Sequence, residues 1–392
     1  MKRLEEDFSA GIVGGGERPL IVHVVRQFLP NRGGLEDVVY NVCRQGLKNG
    51  FRIRVVTLNS LFSDPSRALA DRETIDGIEI VRIAWKGSSR YPLAPSVLKH
   101  IGDADLVHVH AVDFFFDFLA LTRIVHGKPM IATTHGGFFH TQRFAAIKAV
   151  WFRTLTRFSS SRYDYVVGCS QSDVETFAPI ARKNLQLIEN GADTAKFHGR
   201  AATAPAKRLI TIGRFSSNKR LDRLVAAMRA LLATDPEWAL DIVGVPSDLT
   251  VADVEKLAQG IKAQVRVHAA LPNETIAALI GESSLFVSAS EYEGFGIVAI
   301  EAISAGLLPV LQDNSAYSAL AAKHPLIELG DFVRAEQGAQ AILRAWRTLL
   351  SDPVRIRSTA MREADAYSWN NVGGRYIRLY RTMLAGKSRQ SA

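Results

Sequence analysis

Cysteine is scarce in this chain of 392 residues, which contains only Cys43 and Cys169. Two cysteines, one in a predicted helix and one near a predicted strand end, do not form the disulfide framework typical of small secreted proteins. No apolar run reaches the length of about 20 residues that a membrane-spanning helix needs. Residues 1–18 are mostly charged or glycine, which predicts a flexible tail and no signal peptide. We therefore expect a cytoplasmic protein.

Acidic residues are fewer than basic ones, 39 against 48, so the formal net charge is +9. Six of the nine excess charges lie in residues 1–200. The excess is spread out and no aromatic-basic recognition motif concentrates it, so we expect no nucleic-acid partner. An anionic membrane surface or a lipid diphosphate suits this charge better, which predicts peripheral binding to the inner face of the cell membrane.

The stretch 138–158 carries aromatic and basic residues together. At helical spacing one stripe would contain Phe144, Ile147, Trp151, Leu155 and Phe158. Arg143 and Lys148 flank this stripe, as in helices that insert into a bilayer interface. The same stripe is also typical of a helix packed on a sheet, and both interpretations remain open.

Short apolar runs that favour strands alternate with helical segments in two series. The runs are 20–25, 53–58, 106–110 and 130–134, then 209–212, 239–243, 265–268 and 285–289. This alternation predicts an α/β protein with two doubly wound, parallel sheets. We predict one domain over 19–197, a second over 208–365, and a C-terminal helix over 366–385.

The second series contains the segment Glu293-Gly-Phe295-Gly296, in which glycines flank a turn. Glu293 precedes this turn and Glu301 follows it. The turn follows an apolar strand and opens a helix, whose amino end attracts phosphate. Carboxylates accept hydrogen bonds from sugar and ribose hydroxyls, so this arrangement suits a nucleotide sugar.

A basic loop follows the first strand of the same series, in Gly213-Arg214-Phe-Ser-Ser-Asn-Lys219. Arg214 and Lys219 are placed to neutralise a diphosphate, on which negative charge grows as a sugar-phosphate bond breaks. Alone, such a loop is more typical of an ordinary basic surface.

Together these motifs resemble the donor site of retaining glycosyltransferases of family four, which have the GT-B fold of two Rossmann-like domains across a cleft. The resemblance implies that Glu293 contacts the donor sugar and Glu301 the nucleotide ribose. It also implies that amides near Phe295 and Gly296 bind sugar hydroxyls or phosphate. With Arg214 and Lys219 on the diphosphate, no metal and no other cofactor is expected. By the same resemblance, the first domain (19–197) binds the acceptor, the second (208–365) binds the nucleotide sugar, and the helix over 366–385 crosses back to the first domain.

The first series adds two weaker signals at strand ends. Gly33 and Gly34 open the helix after the first strand, where glycines let the backbone approach a phosphate. His135 and the glycines after it end another strand, and the family has a histidine there that faces the donor sugar. His108 and His110 alternate on a strand, and without a nearby acid or cysteine cluster we interpret them as structural or cleft-lining residues, not metal ligands.

A finer resemblance covers most of residues 20–170, through the runs 26–37, 105–118 and 133–140. These runs are similar to bacterial exopolysaccharide α-mannosyltransferases. The likeness implies GDP-mannose as donor and a lipid-linked oligosaccharide acceptor, polyprenyl-diphosphate-linked cellobiose. A UDP-sugar donor remains an alternative, as do a nucleotide-sugar epimerase of the same fold and a non-catalytic nucleotide-sugar sensor.

Overall fold

The protein is described from a computed structural model that covers residues 17–136, 150–181 and 183–390, with side chains to residue 386. Residues 1–16 of the predicted tail lie outside this description. So do Phe144, Ile147, Arg143 and Lys148 of the aromatic and basic stretch. Within the described part of the chain, no helix is long and apolar enough to cross a membrane.

An eight-stranded sheet forms the amino-terminal half, with strand order β12-β11-β10-β9-β1-β2-β6-β5. All of its neighbouring strands are parallel except β5 and β6. Its strands are β1 (Leu20–Val24), β2 (Arg52–Leu58), β5 (Arg72–Ile75), β6 (Ile78–Ile83), β9 (Leu106–His110), β10 (Met130–Thr133), β11 (Tyr165–Gly168) and β12 (Leu185–Leu187). Two small hairpins accompany it, β3 (Ser60–Leu61) with β4 (Asp64–Ala68) and β7 (Lys86–Ser88) with β8 (Tyr91–Leu93).

A six-stranded parallel sheet forms the second half, in the order β15-β14-β13-β16-β17-β18. Its strands are β13 (Arg208–Phe215), β14 (Ala239–Pro246), β15 (Val265–Ala269), β16 (Leu285–Ser288), β17 (Leu308–Gln312) and β18 (Glu328–Gly330). The eight predicted strands are all present, with ends moved by at most three residues. We propose a domain division between residues 197 and 208, which leaves one sheet on each side.

Helices cover both faces of each sheet, and the apolar core accordingly separates into four clusters, two in each half. The helices are α1 (Gly34–Lys48), α2 (Phe114–Leu121), α3 (Arg123–His126), α4 (Arg157–Ser161), α5 (Gln171–Ala181), α6 (Leu221–Thr234), α7 (Val251–Leu257), α8 (Asn273–Gly281), α9 (Ile297–Ala305), α10 (Ser315–Ala321), α11 (Ala335–Ser351), α12 (Pro353–Ala364) and α13 (Trp369–Gln390). A π-helical turn occupies Phe152–Thr156, and 3-10 turns occupy Pro95–His100, Ser217–Lys219 and Asp365–Tyr367.

The last helix, α13, packs on the first sheet although it follows the second sheet in the chain. Its buried Tyr376 and Tyr380 belong to the same apolar cluster as residues of β1 and α1. At the crossing point Ala192 pairs with Ser368, and the Trp369 ring lies so close to Gly191 that an added Cβ would be 2.7 Å from it. This contact fixes the helix against the amino-terminal half.

Candidate active site

The carboxyl ends of strands from both sheets meet at a cleft of about 780 Å³. That volume lies within the usual range of about 300–1,000 Å³ for small-molecule sites. Ligands of open α/β sheets bind at this edge, because the loops after the strands and the amino ends of the helices converge there.

Seven of the nine predicted site residues line this cleft: Gly34, His135, Arg214, Lys219, Glu293, Phe295 and Gly296. Gly33 and Glu301 are not among the lining residues. Gly33 immediately precedes α1 and has an extended backbone (φ −164°). Glu301 lies in the second turn of α9, half-buried beside the cleft.

Lys219 and Glu293 form an ion pair of 2.6 Å, although they are 74 residues apart. Both side chains are mostly shielded, with 22% and 16% of their surface exposed. The Tyr317 hydroxyl donates a second hydrogen bond of 3.3 Å to Glu293. The 3-10 turn after β13 and the loop after β16 therefore present a cation and an anion at one point of the cleft.

Arg214 extends the positive charge of this wall. It stands at the end of β13 with an exposed side chain, three residues before the turn that carries Lys219. Because Arg214 and Lys219 both line the cleft, this part of it can bind an oligophosphate.

The turn between Glu293 and α9 depends on Gly296. This residue has φ +89°, in the left-handed region that favours glycine, and immediately precedes α9. An added Cβ would lie 2.7 Å from the Tyr317 ring. Phe295 is buried against Tyr367. The first residues of α9 line the cleft directly after this turn.

The carboxylate of Glu301 is largely shielded from water and accepts a hydrogen bond from the backbone N–H of Asp193. Burial raises its pKa to about 7, and the nearby carboxylates of Asp193 and Asp37 add to this, while Lys196 and the backbone N–H of Asp193 act in the opposite direction. A carboxylate in such a place gains strongly from any hydroxyl that donates to it.

Sequence profiles match the two halves of the chain: "Glycosyltransferase Family 4" over residues 32–196 and "Glycosyl transferases group 1" over 195–366. A GDP-mannose:cellobiosyl-diphosphopolyprenol alpha-mannosyltransferase of Xanthomonas campestris is 41% identical over 376 residues, covering 95% of this chain and 99% of that protein. The chain belongs to the family-four glycosyltransferases.

This glycosyltransferase is also 39% identical to a Komagataeibacter xylinus protein of the same name, over 94% of the chain and 95% of that protein. A glycosyltransferase structure from Rickettsia africae superposes with a TM-score of 0.72 at 16% identity, covering 94% of this chain and 99% of that one. Sucrose-phosphate synthase from Thermosynechococcus elongatus gives 0.67 at 19%, covering 94% and 100%. These structures confirm the predicted GT-B fold.

The glycosyltransferase holds His135 in an unusual backbone conformation, with φ +54°. Asp173, in the first turn of α5, stabilises the loop on either side: its Oδ2 accepts hydrogen bonds from Thr134 Oγ1 (2.7 Å) and Gly136 N (3.1 Å). The same oxygen accepts from Cys169 Sγ at 3.0 Å. Sequence analysis missed Asp173, although a serine and an acid three residues apart after a strand are a helix-start signal.

Behind His135 lies a buried group of histidines that the sequence did not reveal as a group. His108 and His110 of β9 meet His23 of β1, with candidate ligand atoms within 4.8 Å of one another. The prediction of a structural or cleft-lining role was made without His23, which joins the other two only because β1 and β9 pair in register. All three rings are buried.

Proposed function

We propose that this glycosyltransferase moves mannose from GDP-mannose to cellobiosyl-diphosphopolyprenol, with retention of the α-linkage. The observation that carries this proposal is the identity of 39–42% to three mannosyltransferases of that name, over at least 93% of the chain. The cleft supports it, because a wall with paired cations, a carboxylate and helix amides suits a sugar diphosphate.

In this proposal Arg214 and Lys219 bind the diphosphate, and Glu293 accepts hydrogen bonds from the mannose hydroxyls. The bond from the anomeric carbon to the β-phosphate oxygen breaks, and a bond from that carbon to the acceptor oxygen forms on the same face. The leaving phosphate takes the proton of the acceptor hydroxyl. Negative charge that grows on this phosphate is stabilised by the two cations.

The ion pair of Lys219 and Glu293 preorganises these roles. Each side chain holds the other within the cleft, so neither has to be ordered when the donor arrives. Phosphate oxygens and sugar hydroxyls then add to the same two groups. The amides near Phe295 and Gly296 bind phosphate, and Glu301 binds the ribose. His135 faces the sugar. At the opposite wall, Gly33 and Gly34 allow the donor to approach the backbone closely.

The test is transfer of label from radiolabelled GDP-mannose, with UDP-glucose in parallel, to lipid-linked cellobiose. Label from GDP-mannose alone is expected. Label from UDP-glucose alone would refute the donor assignment, and donor turnover without acceptor would favour an epimerase. Lys219→Ala is expected to lower kcat by roughly 10²–10³, the scale of one lost oxyanion donor. Glu237→Gln, a change at an exposed acid outside the cleft, is the control.

We also propose that the amino-terminal half binds an anionic membrane surface where the lipid acceptor resides. Ile124 and Val125 on α3 are 94% and 75% exposed. Trp151 and Phe158, both about 40% exposed, are two further large apolar side chains on the surface of this half. The two parts are joined because Arg123 donates a hydrogen bond to the carbonyl of Arg162, whose guanidinium lies over Phe158.

Basic residues surround this apolar surface. Arg153, Arg157 and Arg162 are exposed beside it, which suits attraction to anionic lipid headgroups. Replacing Ile124 and Val125 together by serine is expected to weaken cosedimentation with phosphatidylglycerol vesicles. Val354→Ser, at a residue of the other half that is 81% exposed, is the matched control. Equal binding of both variants would refute the membrane surface.

A further inference from the structure

A line of hydrogen-bonded imidazoles runs from the cleft into the core of the first sheet. His135 Nε2 lies 3.0 Å from His110 Nδ1, and His110 Nε2 lies 2.9 Å from His23 Nδ1. The line ends at His23 Nε2, which is buried and has no hydrogen-bond partner among the described residues. Only the first of these rings borders the cleft.

All three imidazoles are neutral at physiological pH. Burial lowers the pKa of His135 to about 4 and that of His23 to about 3, and it holds the pKa of His110 well below its ordinary value. A neutral imidazole has one N–H and one lone pair. Since each hydrogen bond in the line needs one of each, the three protons must all point the same way.

The far end decides the direction. If the protons pointed inward, His23 Nε2–H would be a buried donor without an acceptor, which proteins rarely tolerate. If they point outward, His23 Nε2 is only an unused lone pair. The outward arrangement places protons on Nδ1 of His23, His110 and His135.

We propose that His110, oriented by His23, fixes His135 as the Nδ1–H tautomer, so that His135 presents a hydrogen-bond donor and not a base to the substrate. Its Nε2 is occupied by the His110 N–H. This inference rests on the proposed function for the role of His135. It implies that His135 donates to an oxygen of the sugar or the diphosphate and takes no proton from the acceptor. His110 and His23 act as positioning residues.

The alternative use of these rings, as metal ligands, fits the geometry less well. Two imidazole nitrogens on one tetrahedral zinc are about 3.3 Å apart, whereas His23 and His110 approach to 2.9 Å. The third ring, His108, has both nitrogens within hydrogen-bond distance of other groups, Tyr380 OH at 2.7 Å and Thr133 Oγ1 at 2.8 Å.

The first test is long-range ¹H–¹⁵N correlation NMR on the full-length enzyme with labelled histidine, which distinguishes the two neutral tautomers directly. Nδ1–H is expected for His135, His110 and His23. An Nε2–H tautomer at His135 or His110 would overturn the proposal. So would one equivalent of zinc in metal analysis of the purified protein. This measurement does not depend on activity, so it stands even if GDP-mannose is not the donor.

The second test uses substitutions at His110. His110→Phe removes the donor to His135 Nε2 and is expected to give mixed His135 tautomers and a kcat lowered roughly tenfold, the scale of one hydrogen bond, with little change in KM for the donor. His110→Asn places an amide N–H near the lost Nδ1–H and is expected to restore both the tautomer and the rate. Val109→Ala, on the same strand and also buried, controls for core damage. A single His135 tautomer and an unchanged kcat in His110→Phe would refute the proposal.

Discussion

Replacing Glu301 by glutamine is expected to stabilise the fold at alkaline pH while it weakens donor binding. The pKa of Glu301 is raised to about 7, chiefly because burial desolvates the carboxylate. The ionised carboxylate therefore opposes folding, which is typical of side chains whose partner is a ligand. Glutamine has nearly the same shape and carries no charge.

The magnitude follows from the linkage between protonation and folding. A carboxyl group whose pKa is raised from 4.5 to about 7 adds no cost below pH 4.5; the cost grows as pH rises from 4.5 to about 7 and stays constant above that. At about 1.4 kcal/mol per pH unit, ionised Glu301 costs at most about 3 kcal/mol at pH 8. Glu301→Gln should remove this cost at pH 8 and have almost no effect at pH 4.5.

The assay is urea unfolding of both proteins at several pH values, combined with titration of the donor. We expect the variant to be more stable at pH 8, with a difference that shrinks toward acid pH. Its KM for the donor should rise about tenfold or more, since an amide oxygen accepts more weakly than a carboxylate. Glu255→Gln, at an exposed helix position, is the control. Lower stability of Glu301→Gln at pH 8 would refute the reasoning.

Three other substitutions test the structure around the cleft. Gly296→Ala should reduce donor binding and stability by about 1–3 kcal/mol, because φ +89° and the Tyr317 ring both exclude a Cβ. Isothermal titration measures the change in donor binding, and thermal unfolding measures the change in stability. Gly191→Ala should loosen α13 by pushing on Trp369, which hydrogen exchange in that helix would detect. Asp241→Asn should lower the free energy of unfolding by about 3 kcal/mol, because this buried acid pairs with two arginines and a histidine. Unfolding at neutral pH measures this loss, and a loss under about 1 kcal/mol would contradict the prediction.

The pKa of Asp241 is shifted in the opposite direction to that of Glu301. Burial would raise its pKa, but hydrogen bonds from Arg266, His268 and Arg208 outweigh burial and lower it. Its stabilisation is present above the ordinary value of 3.8 and is lost as pH falls through the lower folded-state pKa. The destabilisation by Asp241→Asn should therefore shrink only in strong acid.

Local sequence was enough for the parts of the site that a single βα unit builds. The strand β16, the left-handed turn at Gly296 and helix α9 up to its cap at Gly306 follow from an apolar run, glycines and helical spacing within about 20 residues. Local sequence was less informative for other strands, such as β6 and β11, which were not among the predicted strands. Parallel strands buried on both faces give only short apolar runs, which resemble buried helix segments.

Local patterns were sufficient to predict the fold class and the two Rossmann-like halves. Together with the resemblance to the family, they also predicted seven residues that line the cleft, because the carboxyl ends of parallel strands meet at one edge. Contacts between distant residues could be seen only in the folded chain: the Lys219–Glu293 pair, the Asp173 contacts that support the His135 loop, and the histidine line through His110 and His23. These contacts depend on strand order and register, which long-range packing sets and no local pattern encodes.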